Sequence, residues 1–224
     1  MFHKIGNQVD ATNFFNRMQA NSSRGLQGRE ATLRREGDQM VFGTGSGNDQ
    51  VRIEKKEREG IFALFGGDEY EVTVNGETWT LSEEQLRNAR FELGAGNDAI
   101  YVDDNVDVPL QVDGGFGHDR IFNQADNVRI EGGFGHDAIH SRGNRVSIHG
   151  GAGHDHIFSQ GHGGSVHGGF GWDQIGVLGN FNRASGGPGF DRVRTHGFGN
   201  QRLDFDFMGP GASWGTPPPM FFWR

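Results

Sequence analysis

The segment Gly114-Gly-Phe-Gly-His-Asp-Arg-Ile-Phe122 contains the pattern that decides the fold, Gly-Gly-x-Gly-x-Asp-x-apolar-x. The pattern recurs every 18 residues, at 132–140, 150–158, 168–176 and 186–194. Shorter copies stand upstream: Gly94-Ala-Gly-Asn-Asp98 begins 21 residues before Gly115, and Gly45-Ser-Gly-Asn-Asp49 begins a further 49 residues before it. A fixed period of this kind is the sequence signature of stacked structural repeats.

Apolar residues keep the same 18-residue register. One series stands two residues after each Asp: Ile100, Ile121, Ile139, Ile157, Ile175 and Val193. Two more series are Val112, Ile130, Ile148, Val166 and Ala184, and, fading at Gly164 and Asn182, Leu110, Val128 and Val146. The alternation of β-branched with polar residues predicts two short strands per repeat, each with one inward face. We therefore predict an all-β fold, a right-handed parallel β-helix or β-roll of 18-residue coils that bury one another's apolar faces.

The composition fits this architecture and excludes several classes of protein. Hydrophobic residues make up 33% of the 224 residues and glycine supplies 39, so one ordinary globular core is not expected. The net charge of -8, without a stripe of Lys and Arg, argues against a nucleic-acid partner and suits a cation. The absence of cysteine excludes disulfides and thiolate metal sites. We expect no membrane span, and the N-terminal residues lack the apolar region of a secretory signal peptide.

The five complete segments resemble the nonapeptide repeats of haemolysin-type calcium-binding proteins, the repeats-in-toxin (RTX) family. Each of them matches every defined position of that repeat, and the resemblance covers roughly half of the chain. It implies that Asp carboxylates and glycine-loop carbonyls of neighbouring turns hold Ca²⁺ between them. It also implies a repeat region that stays unfolded at the low Ca²⁺ concentration of the cytosol and folds outside the cell.

The stacking of the loops points to the same ion. Stacked coils lie about 4.8 Å apart, and carboxylates in one column at such a spacing repel by about 1 kcal/mol or more. Carboxylate and carbonyl oxygens on a flexible glycine loop suit Ca²⁺ better than Mg²⁺. The alternative is that the carboxylates only accept hydrogen bonds within turns. The predicted metal-site residues are Gly94, Gly96, Asn97, Asp98, Gly115, Gly117, Asp119, Gly133, Gly135, Asp137, Gly151, Gly153, Asp155, Gly169, Gly171, Asp173, Gly187, Gly189 and Asp191, with Asp49 included if its loop joins the stack.

The repeat departs from the family at two places. The opposite turn of each coil lacks the glycine motif, as in Asn123-Gln-Ala-Asp-Asn127, so we predict one column of ions rather than two. The residue before the Asp, which resembles the family at Asn97, becomes His, Trp or Phe in later coils, and this loss of side-chain oxygens is expected to weaken the sites. Histidines could form a Zn²⁺ or Ni²⁺ site, but a stacked aromatic ladder accounts for all five of these residues: His118, His136, His154, Trp172 and Phe190.

The sequence divides the chain into four parts. An Asn75-Gly76 turn between alternating strands predicts a hairpin, and Ser82 to Gln85 predicts the start of a helix. The four parts are a flexible polar segment (1–38), a first coil with a hairpin and helix as an insertion or cap (39–93), the calcium-binding parallel β-roll (94–208), and a tail rich in proline and aromatic residues (209–224).

No catalytic motif is recognisable, so we expect a protein that is not an enzyme. We predict a secreted, extracellular bacterial protein, exported without a Sec signal, that binds Ca²⁺ and acts as a structural or interaction module towards a cell surface, a glycan or a target protein. One alternative is a carbohydrate-active enzyme or its accessory module, although the outward series Arg120, Ala138, His156, Gln174 and Arg192 lacks paired carboxylates. The other is an effector delivered by a contact-dependent secretion system, a weak resemblance in composition to harpin-like proteins.

Overall fold

The computed structural model describes residues 32–36, 39–57 and 67–203. One helix, α1 (Glu83–Arg87), occurs among these residues. The strands are β1 (Thr32–Glu36), β2 (Gln39–Gly43), β3 (Gln50–Lys55), β4 (Glu69–Val74), β5 (Glu77–Ser82), β6 (Ala89–Glu92), β7 (Ala99–Val102), β8 (Gln111–Asp113), β9 (Arg120–Asn123), β10 (Arg129–Phe134), β11 (Ala138–Ser141), β12 (Ser147–Gly153), β13 (His156–Gln160), β14 (Ser165–Gly171), β15 (Gln174–Leu178), β16 (Arg183–Ser185), β17 (Arg192–His196) and β18 (Gln201–Arg202).

The strands form a β-solenoid of about 6 stacked coils roughly 18 residues apart, which confirms the predicted parallel β-roll. Two 9-stranded sheets face each other, in the orders β1-β2-β6-β8-β10-β12-β14-β16-β18 and β17-β15-β13-β11-β9-β7-β3-β4-β5. The chain therefore alternates between the sheets, and each coil contributes one strand to each. Two turns join the strands of a coil: the glycine turn, which carries the Gly-x-Gly-x-Asp motif, and the opposite turn.

The predicted apolar ladders form the core. Ile121, Ile139, Ile157, Ile175 and Val193 are in register along one sheet, and each is buried. The second series is in register along the other sheet, from Val112 to Ala184. This core is one side chain deep on each sheet, which is why 33% hydrophobic residues are sufficient to build it.

The N-terminal end of the stack is covered on both sheets. Strands β2 and β3 make a first coil, and its glycine turn joins the stack because Ser46 pairs with Ala95. Strands β4 and β5 then extend one sheet as an antiparallel hairpin, with the predicted turn at Asn75-Gly76. The predicted helix begins at a capping box formed by Ser82 and Gln85.

Strand β1 covers the edge of the other sheet by pairing antiparallel with β2. It lies in the segment 1–38 that we expected to be flexible, and it is ordered because Leu33 is buried against the first coil. Residues 1–31, the tail 209–224 and the end of the predicted β-roll at 204–208 lie outside the described residues.

Candidate metal centre

From Gly94 onward, the glycine turns stack so closely that only glycine fits at two positions of each motif. Gly153 has a φ of 151°, and a Cβ added there would lie 1.5 Å from the carbonyl oxygen of Gly135 in the preceding coil. Gly151 has a φ of 117°, and its Cβ would lie 2.0 Å from the carbonyl oxygen of Gly133. The motif glycines therefore let the turns of successive coils stack closely, so that their loop carbonyls line one edge of the solenoid.

The motif aspartates form a continuous column along this edge. The backbone N–H of each Asp donates to the Oδ1 of the Asp in the next coil, at N–O distances of 2.7–2.9 Å. Every member except the last is less than 5% exposed. We call this set the aspartate column: Asp49, Asp98, Asp119, Asp137, Asp155, Asp173 and Asp191.

The second carboxylate oxygen of each of the first six members is a buried acceptor. Among the described residues, none of these Oδ2 atoms has a hydrogen-bond partner. The Oδ2 of Asp155 and the carbonyl oxygen of Gly168 both lie within 2.5 Å of the point where Gly150 would carry a Cβ. The same convergence recurs at Gly114 and Gly132. Two oxygen acceptors thus lie close to one small space in these coils, and this arrangement favours either a proton on the carboxyl or a positively charged group between them.

Burial also changes the acidity of the column. It raises the pKa of Asp137 to about 7 and the pKa values of Asp98 and Asp173 to about 6, with a smaller contribution from neighbouring carboxylates. Burial likewise raises the pKa of Asp119 and Asp155. The backbone N–H bonds to Oδ1 oppose these shifts without cancelling them. Without a cation, the column therefore takes up protons at a higher pH than ordinary aspartates do.

The opposite turn carries asparagines, one buried and one half-buried, whose amide oxygen and nitrogen each have a hydrogen-bond partner. Asn182 accepts from the Gly164 N–H through Oδ1 and donates through Nδ2 to the carbonyl oxygen of Gly161, both at 2.8 Å. Asn200 bonds in the same way to the Asn182 N–H and the Gly179 carbonyl, again at 2.8 Å. We call these two residues the asparagine pair. We had read Asn182 only as a break in an apolar ladder; the signal we missed was the Gly-x-x-Asn spacing, repeated after 18 residues.

The histidines before the Asp form the predicted aromatic ladder. The His118 and His136 rings stack with centroids 5.0 Å apart, and the His136 and His154 rings at 4.9 Å. Each Nδ1 also accepts a backbone N–H from the next coil, at 2.7–2.9 Å, with Trp172 as the last donor. A neutral ring that accepts through Nδ1 carries its hydrogen on Nε2, so neither nitrogen has a free lone pair for a metal.

Asn97 makes the same bond with its side-chain oxygen, which accepts the His118 N–H at 2.8 Å. Of the predicted site residues, Asn97 is therefore the one whose side chain is directed away from the column. The histidines make the same bond between successive turns, and the expected weakening of the sites through lost oxygens stays a prediction.

A cation in the column would take most of its ligands from loop carbonyls. In the part of the chain that the structure describes, no group of three or more His, Cys, Asp or Glu side chains converges as a metal site. No helix among these residues is long and apolar enough to cross a membrane. Comparison with protein-family models, with curated proteins and with solved structures found no match.

Proposed function

We propose that the aspartate column binds a row of Ca²⁺ ions and that these ions stabilise the β-roll. The observation that carries the proposal is the contrast between the two turns. Six buried Oδ2 atoms have no partner among the described residues, whereas in the asparagine pair the amide oxygen and nitrogen each have one. A buried carboxyl stays ionised only where hydrogen bonds or a counter-charge compensate it, and otherwise it takes up a proton. The resemblance of the five complete segments to RTX repeats supports the same ion.

The donor set determines which cation is favoured. The residues that would hold the ion are the column aspartates through Oδ2 and the motif glycines through their carbonyl oxygens. Such a set contains hard oxygen ligands on turns without rigid octahedral geometry, which Ca²⁺ accepts and Mg²⁺ tolerates poorly. The ion would supply positive charge between coils, and the chain's own residues supply the stacked frame. Seven loops in one stack enclose six gaps, so we expect up to six ions.

We further propose that the protein acts outside the cell as a structural or interaction module. A ligand that binds only the folded chain stabilises it by RT ln(1 + [L]/Kd), so each ion adds to the stability of the stack. Because every inner carboxylate contacts the next coil, occupation of one gap favours the next. Folding would then be weak at the Ca²⁺ concentration of the cytosol and strong outside, which would couple folding to export.

The test is a Ca²⁺ titration of the full chain, followed by circular dichroism and calorimetry. We expect a cooperative gain of β-structure, a stoichiometry near six, and a poor response to Mg²⁺ at equal concentration. Full folding in chelator, with no Ca²⁺ taken up at millimolar concentration, would refute the proposal. A stoichiometry near twice the expected one would show that the opposite turn also binds ions.

A further inference from the structure

The outer surface of one sheet is basic although the chain as a whole is acidic. Strands β9, β11, β13, β15 and β17 alternate buried with solvent-directed residues, and these five strands contain no Asp or Glu. Arginines stand on their solvent side, and one more directly follows β11. We call this surface the basic face, and its arginines are Arg120, Arg142, Arg192 and Arg194. The net charge of the whole chain is -8, so the face differs locally from the rest.

The arginines of the basic face lack carboxylate partners in the part of the chain that the structure describes. The guanidinium carbon of Arg142 lies 5.5 Å from the centroid of the Phe122 ring. The other three are exposed and form no ion pair with a described residue. On the outer surface of the other sheet the arrangement differs, since Arg129 lies 2.6 Å from Glu131. The basic face therefore has positive charge that the described residues do not neutralise.

Aromatic rings form a continuous row between these arginines. The centroid of the Phe122 ring lies 5.4 Å from that of Tyr101 and 5.0 Å from that of His140, which in turn lies 5.2 Å from that of Phe158. Burial lowers the pKa of His140, so its ring adds no charge at neutral pH. All four rings are half-buried. They make an apolar floor to the basic face and do not project from it.

Two shallow grooves on this face each place a phenylalanine beside arginine. One, of about 440 Å³, is lined by Phe122 and Arg120, and the other, of about 410 Å³, by Phe158, Arg192 and Arg194. Four strand steps separate Arg120 from Arg192, which is about 19 Å at 4.8 Å per step. A ligand that occupies both grooves is therefore elongated and carries negative charge at intervals.

We propose that the basic face binds an acidic polysaccharide, a chain of sugar rings that bear carboxylates. Arginine holds a carboxylate through two parallel hydrogen bonds. The amide groups of Gln160 and Gln174 can donate to and accept from sugar hydroxyls, and the half-buried rings offer apolar surface to the sugar rings. The inference rests on the proposed function, because each strand of the face directly follows a member of the aspartate column. Ions in the column would offset those carboxylates.

The spacing of charge favours a polysaccharide over a nucleic acid or a membrane. Duplex DNA carries one negative charge per about 1.7 Å, and four arginines over about 19 Å match such a density poorly. Membrane docking uses large apolar side chains that project into the lipid. Among the described residues of the basic face, Leu178 is the one large apolar residue that is exposed, at 38%.

The experiment measures binding of the full chain, in Ca²⁺, to an array of immobilised oligosaccharides of uronic acids. Each oligosaccharide stands beside its methyl ester, which keeps the sugar chain and removes the charge, and poly-L-glutamate is the acidic probe without sugar. We expect binding to the free acids and not to the esters or to polyglutamate. Because the arginines are exposed, added salt should weaken the binding. Circular dichroism and Ca²⁺ uptake are recorded on the same samples.

Two triple variants separate the basic face from net charge alone. Both remove three arginines, from the basic face in one case and from the outer surface of the other sheet in the second. The first should bind the free acids about tenfold or more weakly, and the second about as well as the unchanged chain. The face variant is Arg120→Gln, Arg192→Gln and Arg194→Gln, and the control is Arg90→Gln, Arg129→Gln and Arg183→Gln.

A single isosteric change gives a second test. Gln174 is exposed on the basic face and in register with Arg192. Gln174→Glu places a carboxylate there with little change of shape, so binding should weaken several-fold. The matched control is Gln111→Glu, because Gln111 is exposed on the other sheet and in register with Arg129. This control should bind as the unchanged chain does.

Several results would overturn the inference while leaving the proposed function intact. One is a chain that takes up Ca²⁺ and folds but binds no member of the array. Equal binding to acids and esters would exclude recognition of charge, and equal binding to polyglutamate would assign the face to an acidic protein partner. Equal losses in the face variant and its control would show that net charge alone acts. Absence of Ca²⁺ uptake would refute the proposed function itself.

Discussion

The glycine turn and the opposite turn solve the same stacking problem with different chemistry. Both place a short polar side chain inside the solenoid, and in both its Oδ1 accepts a backbone N–H of the preceding coil. At the opposite turn the second atom is the Nδ2 of Asn182, which donates to a carbonyl oxygen. At the glycine turn it is the Oδ2 of an aspartate, which faces another acceptor. The opposite turn is satisfied by its own amide groups, whereas the glycine turn keeps a buried acceptor that a proton or a cation would match.

This difference indicates that the aspartates are not present only for stacking. An asparagine would supply the same Oδ1 and would also satisfy the neighbouring carbonyl, as Asn182 does. Burying an uncompensated carboxylate costs several kcal/mol, and the column repeats that cost in six coils. The two turns therefore make opposite predictions for the same changes.

The largest expected effect comes from a methyl group at matched glycines of the two turns. Gly153→Ala places its Cβ 1.5 Å from the Gly135 carbonyl oxygen, whereas Gly163→Ala has its nearest neighbour, Arg145 Cγ, at 3.7 Å. We expect Gly153→Ala to lower the free energy of unfolding by about 4 kcal/mol or more. Gly163→Ala should cost about 1 kcal/mol, since its φ of 68° is mildly unfavourable for alanine. Urea unfolding in Ca²⁺ would measure both, and equal losses would contradict the difference in packing.

Exchanging the two polar residues should produce effects of opposite sign. Asp155→Asn would place an Nδ2–H against the Gly168 carbonyl, so we expect the Ca²⁺-free protein to gain about 1 kcal/mol of stability. The same variant should bind fewer ions. Asn182→Asp removes a donor from the Gly161 carbonyl and should cost about 1–3 kcal/mol in chelator.

Urea unfolding with and without Ca²⁺, together with the stoichiometry, tests the exchange. If Asp155→Asn destabilises the Ca²⁺-free chain and leaves ion uptake unchanged, the carboxylate at that position serves stacking alone. The Asp155→Asn result would then show that the glycine turn and the opposite turn are chemically alike.

The pH dependence of stability should disappear when Ca²⁺ is present. Burial raises the pKa of Asp137 to about 7 and of Asp98 and Asp173 to about 6, above an unfolded value of about 3.9. Between these values the folded, Ca²⁺-free chain holds more protons than the unfolded chain, so its stability falls as pH rises. The asparagine pair does not titrate, so it adds nothing to the change of stability with pH.

In saturating Ca²⁺ the folded carboxylates hold no protons, and the unfolded ones hold few above about pH 5, so the fall in stability with rising pH should disappear. The measurement is the urea midpoint at about pH 5 and about pH 7.5, in chelator and in Ca²⁺. Parallel slopes under the two conditions would indicate that no cation replaces the protons of the column.

The sequence predicted most of this frame and missed the features that depend on turn geometry. The 18-residue period determined the register of the ladder from Ile121 to Val193, because a one-residue slip would expose all of its members. It could not show that Asn182 reaches the Gly161 carbonyl, since that contact depends on the shape of a turn with no apolar pattern. The role of His118 was missed because Nδ1 replaces an amide oxygen only when the rings stack. Strand β1 has one buried apolar residue, Leu33, too little for a periodic signal.

The smallest expected effect concerns a residue of the opposite turn in an unfavourable backbone conformation. Phe181 has a φ of 59° and stands in register with Gly163 and Gly199, whose φ values are both 68°. A bulky residue in this region costs about 1–2 kcal/mol. The exposed ring of Phe181 meets Phe198 edge to face at 5.6 Å and lies beside Gly199. We therefore expect Phe181→Gly to stabilise the protein by about 0.5 kcal/mol in urea unfolding, after the entropic cost of glycine.

The matched control is Phe170→Gly in β14, because Phe170 is similarly exposed and its φ is not positive. That change should destabilise the chain by about 0.5–1 kcal/mol, and a loss of the same size in both variants would show that the φ of Phe181 carries no strain.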